Sequence, residues 1–561
     1  MEGKSIIAIC TLLATLSTPA MAQMDNVVEV ETNYRPALKD ADKINVSPKF
    51  EESTVNHYNV TYSSKAYSTD QFVFQPMWPA TNPNLLRSEK KMFATFGYGT
   101  EGNVLGRLAG QIDLSRGNAI QIDYSTRGFN GKAEQLQEIK DKDEWTSRYY
   151  ANRLSAAFVH QFSNNAELRI GGGYGSDVFN YQPTYMKNSG KWEKGNIDTD
   201  KQHNDIYEGN ISLSPYTFGK FAIGADASYR HFGQKYLTNM ADKYSEDLIE
   251  AELSPEYDLG NGMKVDADLG FDYARYGMNG VDGHTAFDAT PHFCYENSDI
   301  DLKAGVYVNS ELEVAPDVEF TYHLNPEIDI YAVAAGGETK QNFRTFSQMS
   351  PYFVLAPGNA AGGLTGSEPI EMDNSFDQLR ARAGVRINPV NGLYADISAG
   401  YDIRENVAEL QNIGNSCMNG GLLTNSVTFA DSKLLYANLT LNYSYKDILT
   451  ADLQGQYNKW DWDDGQTYTW RPVVDAHCRL SYRIINGLRI GADVLFQTFD
   501  TANQCYERPN TIDLGASVAY TFPFRLTLYA KGNNLIGNSH DHYLGYRSTG
   551  MNFLFGAAIS F

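Results

Sequence analysis

This chain has few cysteines and no excess of basic residues, and most of it lacks long apolar segments. Its 561 residues include five cysteines, and 46 Lys and Arg stand against 68 Asp and Glu, for a formal net charge of −22. Beyond residue 22 no run of about 20 apolar residues occurs, so the sequence offers no candidate transmembrane helix. The negative charge argues against nucleic acid as a partner, because binding phosphate requires concentrated Lys and Arg.

The four cysteines beyond residue 22 lack the spacing of a metal site and fall in different predicted elements. They are Cys294, Cys417, Cys478 and Cys505. Cys417 and Cys505 both lie in predicted outer loops, and an oxidising compartment would permit a disulfide between them. Four free thiols are the alternative.

Residues 1–22 are typical of a secretory signal peptide. A basic start at Lys4 precedes an apolar run over 6–16, and a small-residue site ends at Ala22. The run is too short to span a bilayer. We therefore expect cleavage after Ala22 and a secreted chain from Gln23 onward.

Tyrosine, phenylalanine and glycine are abundant, with 37 Tyr, 28 Phe and 48 Gly. From residue 91 onward, apolar and polar residues alternate, as in the last segment GMNFLFGAAISF, where every second residue from Met551 to Phe561 is apolar. Such alternation gives a strand one apolar face and one milder face. We count about twenty-two such segments in 91–561. They predict an all-β fold, a transmembrane antiparallel β-barrel of the outer-membrane type with about 22 strands.

The connections between these segments alternate between short and long. Short connections rich in Gly, Asn, Asp and Pro lie at 115–117, 163–165, 259–262, 296–299, 323–326, 388–392, 445–447, 485–487 and 522–524. Longer ones lie near 130–147, 181–203, 339–374, 405–431, 462–471 and 535–549. Short periplasmic turns and long external loops are the asymmetry expected of an outer-membrane barrel. The series predicts an even strand number and both termini in the periplasm.

Charged residues fall on the strand face that the alternation assigns to the barrel interior. The two main sets are Arg380, Arg382 and Arg386 in one segment and Asp475, Arg479 and Arg483 in another. Further predicted inward residues are Asp396, Asp402, Arg404, Asp493, Arg525 and Lys531. A basic side chain facing lipid at the bilayer midplane would cost about 2–4 kcal/mol. An interior lined with both signs of charge therefore predicts a wet lumen.

No catalytic motif is recognisable, since the chain has no phosphate-binding loop, no HExxH and no nucleophile elbow. We expect neither enzymatic activity nor a cofactor. The run His540-Asp541-His542 could bind a metal, and the acidic run at 461–464 resembles part of a calcium loop. Solvated loop residues explain both runs better, because the ligand sets are incomplete.

Aromatic residues in the predicted loops allow two interpretations. Tyr181, Tyr185 and Trp192 lie in one long loop, and Trp460 and Trp470 flank another. Such rings can stack on a sugar or a flat ligand, or they can form the aromatic belt at a membrane interface. For Trp460 and Trp470, at predicted strand ends, we expect the belt.

The last forty residues resemble the carboxyl end of TonB-dependent receptors. That family tends to end with an aromatic strand, an Asn-Asn-Leu-type turn, a Gly-Tyr loop and a Gly-x-Asn-Phe approach to the closing strand. The matching residues here are Leu528-Tyr529-Ala530, Asn533-Asn534-Leu535, Gly545-Tyr546 and Gly550-Met551-Asn552-Phe553. The resemblance covers 91–561 and implies uptake of a bulky nutrient, of the metal chelate or glycan class, powered through TonB.

Residues 23–90 resemble the opening of the same family. The run VVEVETNYRPALKDADKINV would begin with a TonB-box-like segment formed by Val27, Val28, Glu29 and Val30. The plug domain of that family is longer than this whole region, so we expect an abbreviated plug in a periplasmic segment 23–90. An ordinary periplasmic tail is the alternative.

Two classes of function follow from the sequence. One is a transport protein in the outer membrane of a Gram-negative bacterium, either a TonB-coupled receptor or a passive channel. The other is an outer-membrane scaffold or binding protein without TonB coupling. Outer-membrane lipid surrounds the barrel in both, and TonB or another periplasmic or surface protein is the expected partner.

Overall fold

The computed structural model describes residues 92–561, apart from 116, 137–143, 165, 184, 189–190, 195–200, 235–243, 278–280, 356–371, 373, 391, 411–422 and 501–507. The predicted signal peptide, the segment 23–90 with Val27, Val28, Glu29 and Val30, and the pair Cys417 and Cys505 lie outside the described residues. The side chains of Tyr185 and Trp192 lie outside them as well. These assignments stay predictions.

Twenty-two strands form one closed antiparallel barrel, which confirms the predicted fold class and strand number. Each strand pairs with its sequence neighbours, and the last pairs with the first. The strands are β1 (Met92–Gly99), β2 (Val104–Ser115), β3 (Asn118–Glu134), β4 (Glu144–Gln161), β5 (Glu167–Phe179), β6 (Gln202–Phe218), β7 (Phe221–Gln234), β8 (Tyr244–Gly260), β9 (Met263–Tyr276), β10 (His284–Glu296), β11 (Ile300–Asn309), β12 (Val314–Asn325), β13 (Ile328–Thr339), β14 (Ser375–Val390), β15 (Leu393–Leu410), β16 (Asn425–Tyr445), β17 (Leu449–Trp462), β18 (Pro472–Ile485), β19 (Leu488–Phe499), β20 (Thr511–Thr521), β21 (Leu526–Asn533) and β22 (Asn552–Ser560).

The connections differ between the two ends of the barrel, as predicted. At one end they are two to five residues long, whereas the other end carries longer loops, including 180–201, 340–374 and 534–551. Several loops are shorter than predicted, because the strands pair beyond the alternating segments; β3 and β4, for example, stay paired up to Glu134 and Glu144. Beyond the lipid both faces of a strand are wet, so its alternation fades although its hydrogen bonds continue.

The outer face carries an apolar band bounded by aromatic residues. Ile211 of β6 is 52% exposed on this face. Phe218 and Phe221 lie at the short-turn end with ring centroids 5.9 Å apart, and Tyr174 and Tyr207 pair nearer the long-loop end at 5.1 Å. A surface that crosses a bilayer between two interfaces has this arrangement.

Smaller elements lie in the long loops. The loop after β13 contains the helix α1 (Phe343–Met349) and a short strand, Phe353–Leu355, that pairs in parallel with the start of β16. Two short hairpins lie in other loops, Tyr185–Asn188 with Lys191–Lys194 and Asp541–Tyr543 with Tyr546–Arg547. Within the described part of the chain, no helix is long and apolar enough to cross a membrane.

The seam where β22 meets β1 is packed around Tyr529 of β21. A Cβ atom on Gly556 of β22 would lie 2.4 Å from the Tyr529 ring, and one on Gly97 of β1 would lie 2.8 Å from the Tyr529 hydroxyl. The Tyr529 hydroxyl lies 3.1 Å from Thr95 Oγ1. The ring therefore crosses two glycines and joins three strands at the point of closure.

Replacing Gly556 with valine tests this packing. The new side chain would collide with the Tyr529 ring and with the Phe96 carbonyl oxygen, which lies 2.5 Å from the Cβ position. We expect a loss of about 1–3 kcal/mol, as for other overpacked sites. Thermal unfolding of the barrel in detergent, followed on semi-native gels, measures this loss. Gly455→Val is the control, because nothing lies within 4 Å of its Cβ; equal losses in both variants would contradict the role of Gly556.

Candidate functional site

Two of the predicted inward arginines pack on a buried tyrosine. Tyr331 of β13 is 2% exposed and crosses Gly384 of β14, where a Cβ would lie 2.6 Å from the ring. The guanidinium carbons of Arg382 and Arg386 lie 5.4 and 4.2 Å from the centroid of that ring. The Tyr331 hydroxyl donates to Asp396 at 2.7 Å. Cation–π contacts and a carboxylate thus fix this part of the wall.

The third arginine of this set continues the row toward the long-loop end. Arg380 Nε lies 3.4 Å from Asp377 Oδ2, and Arg404 Nε lies 3.6 Å from Asp377 Oδ1. Arg404 also pairs with Asp402. Alternating charges let each side chain face an opposite charge, which offsets the cost of partial burial.

The second predicted set lies on β18 and is also paired. Arg479 Nε is 2.8 Å from Asp493, Arg483 Nη1 is 2.9 Å from Asp447, and Asp475 lies on the same strand. The alternate positions of β18 expose apolar groups such as Leu480, which is 43% exposed.

A buried apolar cluster, here called the loop core, lies at the long-loop end of the barrel. Its centre is Phe343, Phe346, Tyr352 and Phe353 from the loop after β13, each 2% exposed or less. Other members, from strands and loops around the ring, include Phe179, Tyr181, Phe232, Leu248, Leu410, Val427, Trp462, Trp470, Tyr543 and Tyr546. The loop after β13 thus folds over the barrel end and packs on several of its sides.

Helix α1 is anchored by caps and by a strand carboxylate. Asn342 is the N-cap, and its side chain accepts a hydrogen bond from the Thr345 amide at 2.8 Å, which satisfies one free N–H of the first turn. The Phe343 amide donates to the buried Glu246 of β8. Ser347 accepts from Asn204 of β6 at 3.2 Å. The helix is therefore tied to two strands as well as packed on them.

The loop after β21 meets this segment through two tyrosines. The rings of Tyr352 and Tyr546 are parallel, with centroids 3.4 Å apart. Asn425 of β16 links the two sides, accepting from Ser350 Oγ at 2.6 Å and donating to the Leu544 carbonyl at 3.0 Å. Two loops far apart in sequence therefore close against each other.

Trp460 and Trp470 do not lie in a lipid-facing belt, so that interpretation was wrong. Trp470 is 5% exposed and donates Nε1 to the fully buried Glu409. Arg471 pairs with Glu409 and lies 4.7 Å from the Trp460 ring centroid. The tryptophans turn inward because the buried carboxylate and its arginine need partners in the loop core. Arg525 also departs from its predicted inward position, since it is exposed in the turn 522–525 with φ 68°.

The run His540-Asp541-His542 serves the folding of its own loop. Asp541 accepts from the Gly545 amide at 2.9 Å and lies 3.5 Å from Arg547. His542 packs edge-on against Phe129 and Tyr543. Burial, with the nearby positive charges of Arg127 and Arg508, lowers the pKa of His542 to about 4. No group of three or more metal-binding side chains occurs among the residues that the structure describes.

A cavity of about 160 Å³ lies between the loop after β21 and the inner barrel wall. Its lining includes Arg127, Lys531, Asp513, Asn534, His540 and His542. Of these, Lys531 was among the predicted inward residues, and the alternation over 512–522 also assigns Asp513 to the inward face. No local sequence pattern groups the lining residues, because they come from β3, β20, β21 and the loop before β22.

Acidification is expected to loosen the loop 534–551. A histidine with a lowered pKa binds its proton more readily in the unfolded state, so the loop keeps its full stability above about pH 6.5 and loses it as the pH falls toward about 4. Hydrogen exchange of 534–551 between pH 7 and pH 4.5 measures this change. We expect His542→Phe to flatten the dependence of loop exchange on pH. Burial also lowers the pKa of His540, so a smaller pH dependence should remain in this variant. A pH dependence equal to that of the native protein would contradict the role of His542.

Comparison with solved structures places this fold among known barrels. The FrpB iron transporter from Neisseria meningitidis matches with a TM-score of 0.62 at 10% identity, over 85% of this chain and 82% of that one. The ferric-catecholate import receptor Fiu from E. coli K12 matches with a TM-score of 0.59 at 10% identity, over the same shares of 85% and 82%. The siderophore receptor PiuA from Acinetobacter baumannii matches at 0.59 and 12% identity, again over 85% and 82%.

The match is one of fold rather than of sequence. No protein-family model matches the chain, and no curated protein matches it by sequence. The similar structures are transport receptors rather than enzymes. The closed antiparallel ring of 22 strands, with short turns at one end and long loops at the other, matches the barrels of TonB-dependent receptors in fold, as the resemblance of the carboxyl-terminal segment implied.

Proposed function

We propose that this protein is an outer-membrane receptor for uptake of a bulky nutrient, of the metal chelate or glycan class, coupled to TonB. The observation that carries the proposal is the closed 22-strand barrel with charged, ion-paired side chains along its inner wall. A polar wall suits passage of a hydrated or polar solute, and a ring of this size leaves a wide interior. The iron and siderophore receptors of the same fold support the substrate class.

The short-turn end is the proposed periplasmic end. Met92 and Phe561 pair there, with the Met92 amide 2.9 Å from the Phe561 carbonyl oxygen and the reverse pair at 3.0 Å. The first described residue, Met92, therefore lies at the proposed periplasmic end, where TonB acts. This supports a TonB-box role for Val27, Val28, Glu29 and Val30. We expect no catalytic activity.

The loop core supports a second candidate, a closed scaffold or binding protein. Aromatic stacking between Tyr352 and Tyr546 joins loops from two sides of the mouth. A receptor must open this contact to admit a nutrient, whereas a scaffold would keep it closed. Whether the loop core opens or stays closed therefore distinguishes a receptor from a scaffold.

Deleting residues 24–35 tests the coupling. We expect the full-length protein to bind the purified carboxyl-terminal domain of the TonB from the same organism, and the deletion to abolish binding, because the TonB-box-like residues are lost. Co-elution on size exclusion in detergent measures it. Deletion of 47–58 is the matched control; binding that survives removal of 24–35 would rule out the assigned TonB box.

Replacing Tyr352 and Tyr546 together with alanine tests the loop core as a barrier. Losing large buried aromatics costs about 3–5 kcal/mol each, so we expect the mouth to open and ion conductance in planar bilayers to rise. Tyr174→Ala, on the outer face and 40% exposed, should not change conductance. The comparison is repeated in chains lacking 24–90, which removes any occlusion from that segment. Equal conductance with and without the tyrosines would exclude the loop core as the barrier.

A further inference from the structure

The cavity beside the loop after β21 has the size of a small organic ligand. Its volume is about 160 Å³, and a single water needs roughly 10–15 Å³ on this scale. The space therefore suits on the order of ten non-hydrogen atoms. Phe129, Tyr149 and Tyr543 supply aromatic surface on part of its lining.

One cation in this cavity is available to a ligand. Arg127 of β3 lines it and forms no hydrogen bond or ion pair with any other described residue. A guanidinium offers five N–H donors in a planar fork that matches a carboxylate. An arginine placed this way in a partly enclosed space is a binding group for an anion.

The charge of the lining limits which anion fits. Lys531 is a second cation and is 8% exposed, while Asp513 is the one carboxylate among the lining residues. Burial lowers the pKa of both His540 and His542, so these imidazoles are neutral at pH 7. With two cations against one carboxylate, the lining is net positive, which suits a small anion.

The same cavity also presents hydrogen-bond acceptors. Asn534 is 3% exposed, and its Oδ1 has no hydrogen-bond partner among the described residues, while its Nδ2 donates to the Asn538 and Thr549 carbonyls at 3.0 and 3.3 Å. A buried acceptor without a donor costs about 1–3 kcal/mol. A ligand that brings a donor would remove that cost. Phosphate fits less well, because it has no apolar part for Phe129, Tyr149 and Tyr543 to cover.

We propose that this cavity binds a small monocarboxylate that also carries a hydroxyl donor. Arg127 and Lys531 hold the carboxylate, Asn534 accepts from the donor, and the aromatic side chains cover the apolar part of the ligand. The inference rests on the proposed uptake function, because it names a chemical group that the imported nutrient would present to the inner wall.

Mandelate is the probe, since it joins a carboxylate, a hydroxyl and one aromatic ring in a ligand of the expected size. Isothermal titration calorimetry on the full-length barrel in detergent measures its affinity. We expect phenylacetate, which lacks the hydroxyl, to bind at least threefold more weakly, and neutral mandelamide at least tenfold more weakly. Equal affinity for all three compounds would overturn the proposal, as would stronger binding of inorganic phosphate.

Arg127→Gln should weaken mandelate binding at least tenfold, and Arg127→Lys should give an intermediate value if Arg127→Gln does not fold. Arg148→Gln on the neighbouring β4, outside the cavity lining, is the matched control and should bind like the native protein. Unchanged binding in both Arg127 variants would overturn the site. Failure of mandelate to bind while the chain still associates with TonB would overturn this inference alone, and the reverse result would overturn only the uptake function.

Discussion

The structure depends on the hydrogen bonds that join β22 to β1. Seven residue pairs, from Phe93↔Ser560 to Gly99↔Leu554, close the ring. Without them two strand edges would expose unpaired N–H and C=O groups to hydrocarbon, at several kcal/mol for each group. The seam strands are short, so side-chain packing around Tyr529 adds contacts where few backbone pairs form. The charged interior, the loops and the cavity all require the ring to be closed first.

Within the closed ring, polar contacts lie along the wall, and apolar contacts lie at the long-loop end. Along the wall, charges neutralise one another in rows such as Asp377, Arg380 and Arg404, which keeps a polar surface without leaving single charges buried. At the long-loop end, rings such as Phe343 and Phe353 form a conventional apolar core. A wet wall below an apolar closure is the arrangement expected of a compartment that opens only when the loops separate.

The barrel could be predicted from the sequence because every second residue of a membrane-spanning strand faces lipid and must be apolar. Segments such as Thr511–Thr521 expose Ile512, Val518 and Tyr520 outward, and this pattern is local in sequence. The loop core could not be predicted, since Tyr352 and Tyr546 come together only after the ring closes. For the same reason Trp470 looked like a belt residue: its partner Glu409 is distant in sequence, and nothing local indicates a buried carboxylate. The cavity combines residues from strands on both sides of the seam and leaves no linear motif.

Strand length has a consequence for the shape of the barrel opening. β1, β21 and β22 have 8, 8 and 9 residues, close to the roughly 9–11 that span a bilayer. β16 has 21, and its surplus lies toward the long loops because the turns at the other end are tight. The rim is therefore oblique, low at the seam and high around β16. A large rigid body approaching the surface meets the high side first, while on the low side it would meet the loop 534–551 that joins β21 to β22.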